Sequence, residues 1–137
     1  MNWRSSMHKP RFHPCTVILL ACLTGCSSHL RVTGIELGRS LNADNSIANP
    51  TSSFAPRDTI YVSVGTAGVG SGAMSVRWTY GGRVVEEATK KVSYRDLAAT
   101  DFSLKSVAGF PPGEYSVEVF LDGQPAGTRA FRVEAGR

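Results

Sequence analysis

Residues 114–121 of this 137-residue chain read EYSVEVFL, and this stretch decides the fold class. Its apolar and polar side chains alternate, with Phe120 as the one exception. Tyr115, Val117, Val119 and Leu121 fall on one side, and Ser116, Glu118 and Phe120 on the other. A period of two residues is typical of a β-strand with one buried and one solvated face.

The same alternation recurs along most of the chain. It is found in TIYVSV (59–64), AMSVRWTY (73–80), DFSL (101–104) and RAFRV (129–133). RVVEEATKKV (83–92) predicts a more exposed strand, and LRVTGIEL (30–37) a first strand with a bulge at Gly34. YRDLAA (94–99) is the one stretch that predicts a helical turn. The chain is therefore predicted to be all-β.

About seven short strands around one central tryptophan predict an antiparallel two-sheet sandwich. From about Asp58 to Val133 the chain resembles the immunoglobulin-like and fibronectin type III-like modules of bacterial surface and periplasmic proteins. Trp78 and PPGEYSVEV (111–119) carry this resemblance. It implies that Trp78 is the core tryptophan and that Tyr115 packs at the corner before its strand. The disulfide of antibody domains has no counterpart here.

The last hairpin contains a conflict between its turn and its hydrophobic pattern. Asp122-Gly123 predicts a two-residue turn with Leu121 opposite Gln124. A regular ladder from that turn would point Phe131 and Val133 away from the core. We therefore expect a three-residue loop or a bulge, around Pro125, to restore the pattern.

The N-terminus has the layout of a secretory signal peptide. Residues 1–14 hold Arg4, Lys9 and Arg11 and no acid, and residues 15–23 are apolar except for Thr16. The apolar run is shorter than the ~20 residues that a membrane-spanning helix needs. The basic head and short apolar run therefore predict export rather than a transmembrane anchor.

Leu23-Thr24-Gly25-Cys26 resembles the lipobox of bacterial lipoproteins. The resemblance implies cleavage between Gly25 and Cys26, a diacylglyceryl group on the Cys26 thiol, and a further acyl chain such as palmitate on the new amino group. Ser27, in place of an aspartate, implies the periplasmic face of the outer membrane in a Gram-negative host. The alternative is an ordinary signal peptide with a chance cysteine.

This interpretation divides the chain into three parts. Residues 1–25 are the signal peptide, and residues 26–56 the lipid anchor, a possible first strand and a Ser/Asn-rich tether or loop. Residues 57–137 form the immunoglobulin-like domain. Removing the signal leaves 12 basic against 11 acidic residues, which argues against a nucleic-acid partner. It also removes Cys15 and Cys22, so the domain is expected to have no internal disulfide.

No catalytic, cofactor-binding or metal-binding constellation is predicted. His8 and His13 leave with the signal, and His29 lies three residues from the anchor. The glycine-rich stretch 65–75 lacks the Gly-Lys-Ser/Thr ending of a phosphate loop and predicts a flexible inter-strand loop. Glu86 and Glu87 are neighbours that a strand would point to opposite faces. Asp58 and Asp101 are expected to bond turn backbone at strand starts rather than calcium.

Three functions remain open. The favoured one is a lipid-anchored binding or accessory module, with the membrane and an unknown envelope protein as partners and no enzymatic activity. The alternatives are a small periplasmic hydrolase inhibitor and an enzyme with unidentified carboxylates. For the module, Arg77, Phe120 and Arg132 are the candidate partner face, because Phe120 is the one aromatic on the polar side of its strand. We expect the two arginines to flank it on neighbouring strands.

Overall fold

The structure, a computed structural model, describes residues 29–136. It contains eight strands and, within those residues, no helix. The strands are β1 (Arg31–Gly38), β2 (Ser53–Phe54), β3 (Ile60–Ala67), β4 (Gly70–Tyr80), β5 (Arg83–Tyr94), β6 (Ala98–Leu104), β7 (Gly113–Leu121) and β8 (Gln124–Val133). The helical turn predicted over residues 94–99 is wrong. The chain passes from β5 to β6 there through a short bend, so both ends of the stretch belong to strands.

The strands form two sheets that face each other. One has three strands in the order β1-β3-β6, and the other has five in the order β2-β8-β7-β4-β5. All pairings are antiparallel except that of the two-residue β2 with β8. This confirms the all-β, immunoglobulin-like sandwich, with seven long strands and one short strand. The bulge expected in β1 is present, between Val32 and Gly34.

Trp78 lies at the centre of the core between the sheets. It is 1% exposed, and its ring meets that of Phe131 edge to face with 6.0 Å between centroids. Around it, the inward positions of the long strands are filled mainly by branched aliphatic side chains, as the alternation predicts. The most fully enclosed of these are Ile60, Val62, Val64, Val76, Val117, Val119 and Val133.

The packed core also includes residues on the N-terminal side of residue 57. Ile35 and Leu37 of β1 and Phe54 of β2 are all buried in it. The loop between β1 and β2 folds over the outside of the three-stranded sheet, where the Ser63 hydroxyl donates to the Asn45 carbonyl at 2.7 Å. This segment is therefore an integral part of the domain.

The β7–β8 hairpin resolves its conflict as predicted. Leu121 pairs with Gln124 across the Asp122-Gly123 turn, whose two residues have φ of 51° and 78°. The register then shifts, so that Phe120 faces Pro125 but Val119 faces Gly127. The extra residue, Ala126, is the expected bulge next to Pro125. It turns Phe131 and Val133 inward, where both are buried.

β5 confirms the prediction of an exposed strand. It is 12 residues long, forms the edge of the five-stranded sheet, and leaves nearly all its side chains in solvent. A register shift opposite Trp78 and Thr79 makes Val85 a bulge. Among residues 29–136, no strand pairs with its other side.

Candidate binding surface

The polar side of the five-stranded sheet forms one continuous outer face. Because side chains alternate along each strand, the positions between buried residues all point to this side. They are Ser75, Arg77 and Thr79 of β4, Glu87 and Thr89 of β5, Ser116, Glu118 and Phe120 of β7, and Thr128, Ala130 and Arg132 of β8. Six of these eleven residues are serine, threonine or alanine, and the larger ones are Phe120 and the four charged residues.

Arg77 lies in the middle of this outer face and is held from three sides. The strand register places it opposite Glu87 on β5 and Glu118 on β7. Its Nε donates to Glu87 Oε1 at 2.9 Å, and its Nη1 lies 3.5 Å from Glu118 Oε1. Its guanidinium carbon stands 5.1 Å from the centre of the Phe120 ring, within cation–π range. Arg77 thus contacts a carboxylate on each neighbouring strand and the ring of Phe120.

A shallow groove of about 260 Å³ runs beside this pair. Phe120 and Arg77 form part of its wall, and the Ser75 and Thr89 hydroxyls, 3.0 Å apart, hydrogen-bond to each other within it. The groove thus combines an aromatic ring, a cation and hydroxyl groups on one face. That mixture is suited to protein–protein contact, where aromatic residues and arginine are enriched.

Arg132 lies apart from this groove. It pairs opposite Glu114 and forms ion pairs with Glu114 and Glu134. Glu114 and Phe120 are at the two ends of β7, about 20 Å apart at the usual rise per residue. The expectation that two arginines flank Phe120 therefore holds for Arg77 but is wrong for Arg132. Alternation predicts which face of the sheet a side chain points to. It does not predict which residues of neighbouring strands lie side by side.

Sequence reasoning placed Glu118 on the outward side of its strand, but it did not predict Glu87 as part of this surface or the contact of either carboxylate with Arg77. Both carboxylates lie beside Arg77 because of the β5-β4-β7 strand order. The alternation in EYSVEVFL already placed Glu118 on the polar side. Only the pairing register, which the sequence does not specify, brings it to Arg77.

The acidic residues considered as catalytic groups or calcium ligands do not converge on one site. They point to opposite faces of a strand or lie beside a basic residue. Glu86 is opposite Trp78 and Glu87 opposite Arg77, so the two point to opposite faces, as predicted. The expectation for Asp101 is wrong: it lies in the middle of β6, not at a strand start, and its Oδ1 lies 3.6 Å from Lys90 Nζ. No group of three or more histidine, cysteine or acidic residues that could hold a metal ion occurs within residues 29–136.

Asp58 stabilises the turn before β3, as predicted. Its Oδ2 accepts hydrogen bonds from the Ala55 amide at 2.7 Å and from Arg39 Nε at 2.8 Å. Burial on its own would raise the pKa of Asp58, but these two hydrogen bonds and the charge of Arg39 together lower the pKa below its ordinary value. Asp58 is therefore a structural carboxylate that stays ionised at neutral pH.

Two further sequence interpretations concern segments outside this surface. The glycine-rich stretch 65–75 forms the end of β3, a tight turn and the start of β4, so the expected flexible loop is wrong. The lipobox, with Gly25 and Cys26, lies outside the described residues. Nowhere in the described part of the chain does a helix have the length and hydrophobicity needed to cross a membrane.

Tyr115 stands at the corner where the chain enters β7. Its hydroxyl donates to the Pro111 carbonyl, four residues upstream, at 2.6 Å. Its ring stacks on Tyr80 with 4.4 Å between centroids. Burial, with a smaller contribution from Tyr80, raises the pKa of Tyr115. This is the tyrosine corner of immunoglobulin-like sandwiches, at the residue where the resemblance placed it.

The two sheets, the buried Trp78 and the Tyr115 corner define an immunoglobulin-like β-sandwich domain. Among solved structures, the chain is similar to an immunoglobulin-like protein from Pseudomonas aeruginosa, with 14% identity and a TM-score of 0.55 over 80% of this chain and 100% of that one. It is also similar to an alkylpurine DNA glycosylase from Pseudomonas fluorescens bound to DNA, with 9% identity and a TM-score of 0.51 over 79% of this chain and 31% of that one.

A CARDB domain from Pyrococcus furiosus has 14% identity and a TM-score of 0.44, over 80% of this chain and 89% of that domain. At such identities the likeness to the first two structures concerns the fold alone. No protein-family model matches the chain, and neither does any curated protein.

Proposed function

We propose that the protein is a lipid-anchored, non-catalytic binding module of the cell envelope. In this proposal Cys26 carries the lipid, the anchor lies in the periplasmic face of the outer membrane, and the domain contacts an envelope protein. The Arg77–Phe120 pair on the outer face is the observation that carries the binding role.

The geometry of this pair supports a role in recognition. A few aromatic and arginine anchors supply most of the binding energy in protein interfaces, and they act best when their position is fixed before binding. Glu87 and Glu118 already hold Arg77 in place, and Arg77 in turn lies against Phe120. A partner would therefore meet an arginine and an aromatic ring that already contact each other.

The arrangement of the carboxylates favours binding over hydrolysis. A glycosidase-type site needs two carboxylates facing one cleft. Here Glu87 and Glu118 neutralise Arg77, Asp58 is bound by Arg39, and Asp101 is close to Lys90. Each of these acids has a structural contact that a catalytic role would have to replace.

The anchor is tested by changing Cys26 to alanine in the full chain. We expect an unprocessed precursor that no longer incorporates labelled fatty acid, because the thiol is the acceptor of the lipid. The unchanged chain, labelled in parallel, is the control. Cleavage at Gly25 with continued acylation of the variant would refute the lipid anchor.

The binding face is tested by placing a photo-crosslinking residue at Phe120 in cells. Tyr61 is the matched control, because it is also a half-buried aromatic but lies between buried Ile60 and Val62 on the other sheet. We expect a discrete crosslinked product from position 120 that is lost in an Arg77→Glu background and absent from position 61. Equal crosslinking from both positions would contradict a binding role for this face.

A further inference from the structure

One end of the sandwich gathers the start of the described chain and three turns. β1 begins with Arg31 opposite Ala67, the last residue of β3, and the β3–β4 turn follows directly. β6 begins at the same end, with Ala98 opposite Thr66. The β5–β6 bend and the β7–β8 turn complete it, since β5 and β7 both end there. We call this the proximal end, and the opposite end the distal end.

The backbone at the start of the domain packs tightly against the β3–β4 turn. A Cβ atom built on Gly68 would lie only 2.4 Å from the carbonyl oxygen of His29, and one on Gly70 would lie 3.7 Å from the amide nitrogen of Leu30. Leu30 also packs against the core. His29 and Leu30, the first two described residues, are therefore already packed against the domain.

This leaves very little chain between the domain and the proposed lipid. Cys26 and Leu30 are four residues apart, and four residues span at most about 14 Å even when fully extended. A long tether would let the domain move freely. The connection from Cys26 to Leu30 is shorter than a single long strand such as the 11-residue β4. The proximal end therefore has to lie next to the surface that holds the lipid.

The proximal end carries apolar side chains that the fold leaves unburied. Leu97 in the β5–β6 bend is 77% exposed, and Val69 in the β3–β4 turn is 53% exposed. Within this bend the Leu97 amide donates a hydrogen bond to Asp96 Oδ1 at 2.7 Å. Arg31 and Arg95 are exposed at the same end, but so are Asp96 and Asp122, so the charged residues there balance. The exposed Leu97 and Val69 side chains are what suits this end to the boundary between headgroups and acyl chains.

We propose that the proximal end rests on the lipid surface, with Leu97 and Val69 among the headgroups and the strands directed away from the membrane. This inference depends on the proposed lipid anchor at Cys26. The partner is the bilayer itself, identified by the short connection to the lipid and by the exposed apolar residues at that end. The distal end, including the 98% exposed Val107 of the β6–β7 loop, then faces away from the membrane.

The test uses the full lipidated protein in vesicles of phosphatidylethanolamine and phosphatidylglycerol. Leu97→Cys and Val107→Cys are each labelled with an environment-sensitive fluorophore. The only other cysteine left after processing is Cys26, whose sulfur the lipid occupies. Both sites are highly exposed, so neither substitution disturbs the core. We expect a nitroxide carried on lipid headgroups to quench the label at position 97 several-fold more than the label at position 107.

A flotation assay on the same samples separates the two proposals. If the protein fails to float with the vesicles, the lipid anchor is refuted. If it floats but both labels are quenched equally, or position 107 is quenched more, the anchor stands and the end-on arrangement is overturned. Flotation with selective quenching at position 97 supports both.

Discussion

Arg129 Nε donates to the backbone carbonyl of Ile35 at 2.9 Å, joining β8 to β1 across the gap between the sheets. On the opposite side, Lys90 of β5 donates to the backbone carbonyl of Asp101 on β6. Both cations occupy inward register positions, opposite Val117 and Met74. Each open side of the sandwich is thus closed by a basic side chain whose alkyl part covers the core while its charge reaches water.

Replacing Arg129 with alanine is expected to lower the free energy of unfolding by about 1–2 kcal/mol. The Ile35 carbonyl loses a charged donor, and the core edge loses its cover. Arg132→Ala is the control, because Arg132 makes only exposed ion pairs, which contribute about 0–1 kcal/mol. Urea denaturation measures both variants. A loss for Arg129→Ala no larger than that for Arg132→Ala would contradict the closing role.

Trp78→Ala is expected to cost about 3–5 kcal/mol, because it empties a large buried site. Trp78→Phe is expected to cost less. It keeps most of the ring and removes the indole Nε1–H, which has no hydrogen-bond partner among the described residues. Thermal and urea unfolding give both values. If Trp78→Ala lost under about 1 kcal/mol, Trp78 would not be the central core residue.

Tyr115→Phe is expected to cost about 1 kcal/mol, the usual contribution of one hydrogen bond, because it removes only the bond to Pro111. A loss of this size lowers the Tm of a domain of about 100 residues by roughly 4–8 °C. Tyr80→Phe is the matched control, since the Tyr80 hydroxyl makes a longer, exposed bond to Pro112 at 3.1 Å. If Tyr115 is the tyrosine corner, Tyr115→Phe should lower the Tm more than Tyr80→Phe does. An equal decrease in both variants would contradict this role.

Asp58→Asn is expected to lower stability at pH 7 and to have little effect in acid. The pKa of Asp58 in the folded state is below its unfolded value of about 3.9. Its ionisation therefore adds stability above about pH 4, and this is lost as the pH falls through the folded-state pKa. Unfolding at pH 7 and at successively lower pH measures the difference. A difference that stayed constant with pH would rule out the carboxylate charge as its origin.

Local pattern was enough to predict most of the fold. The period of two located the strands, and the clash between the Asp122-Gly123 turn and the inward Phe131 and Val133 predicted the bulge. The pattern could not predict the order of the strands in each sheet or the register between them. The separation of Arg132 from Phe120 and the loop folded over Ser63 depend on contacts between residues far apart in sequence. The inward-facing Lys90 likewise breaks the hydrophobic pattern in favour of a bond to the other sheet.

The exposed β5 edge determines whether two neighbouring molecules can join their sheets. A strand from a neighbouring molecule could pair with this edge only if its register accommodated the bulge at Val85. Pairing would also desolvate the ammonium group of Lys90. Bulges and inward-pointing charges are the features that keep natural sheet edges from joining. Neighbouring molecules that meet at the β5 edge would therefore stay separate instead of joining their sheets there.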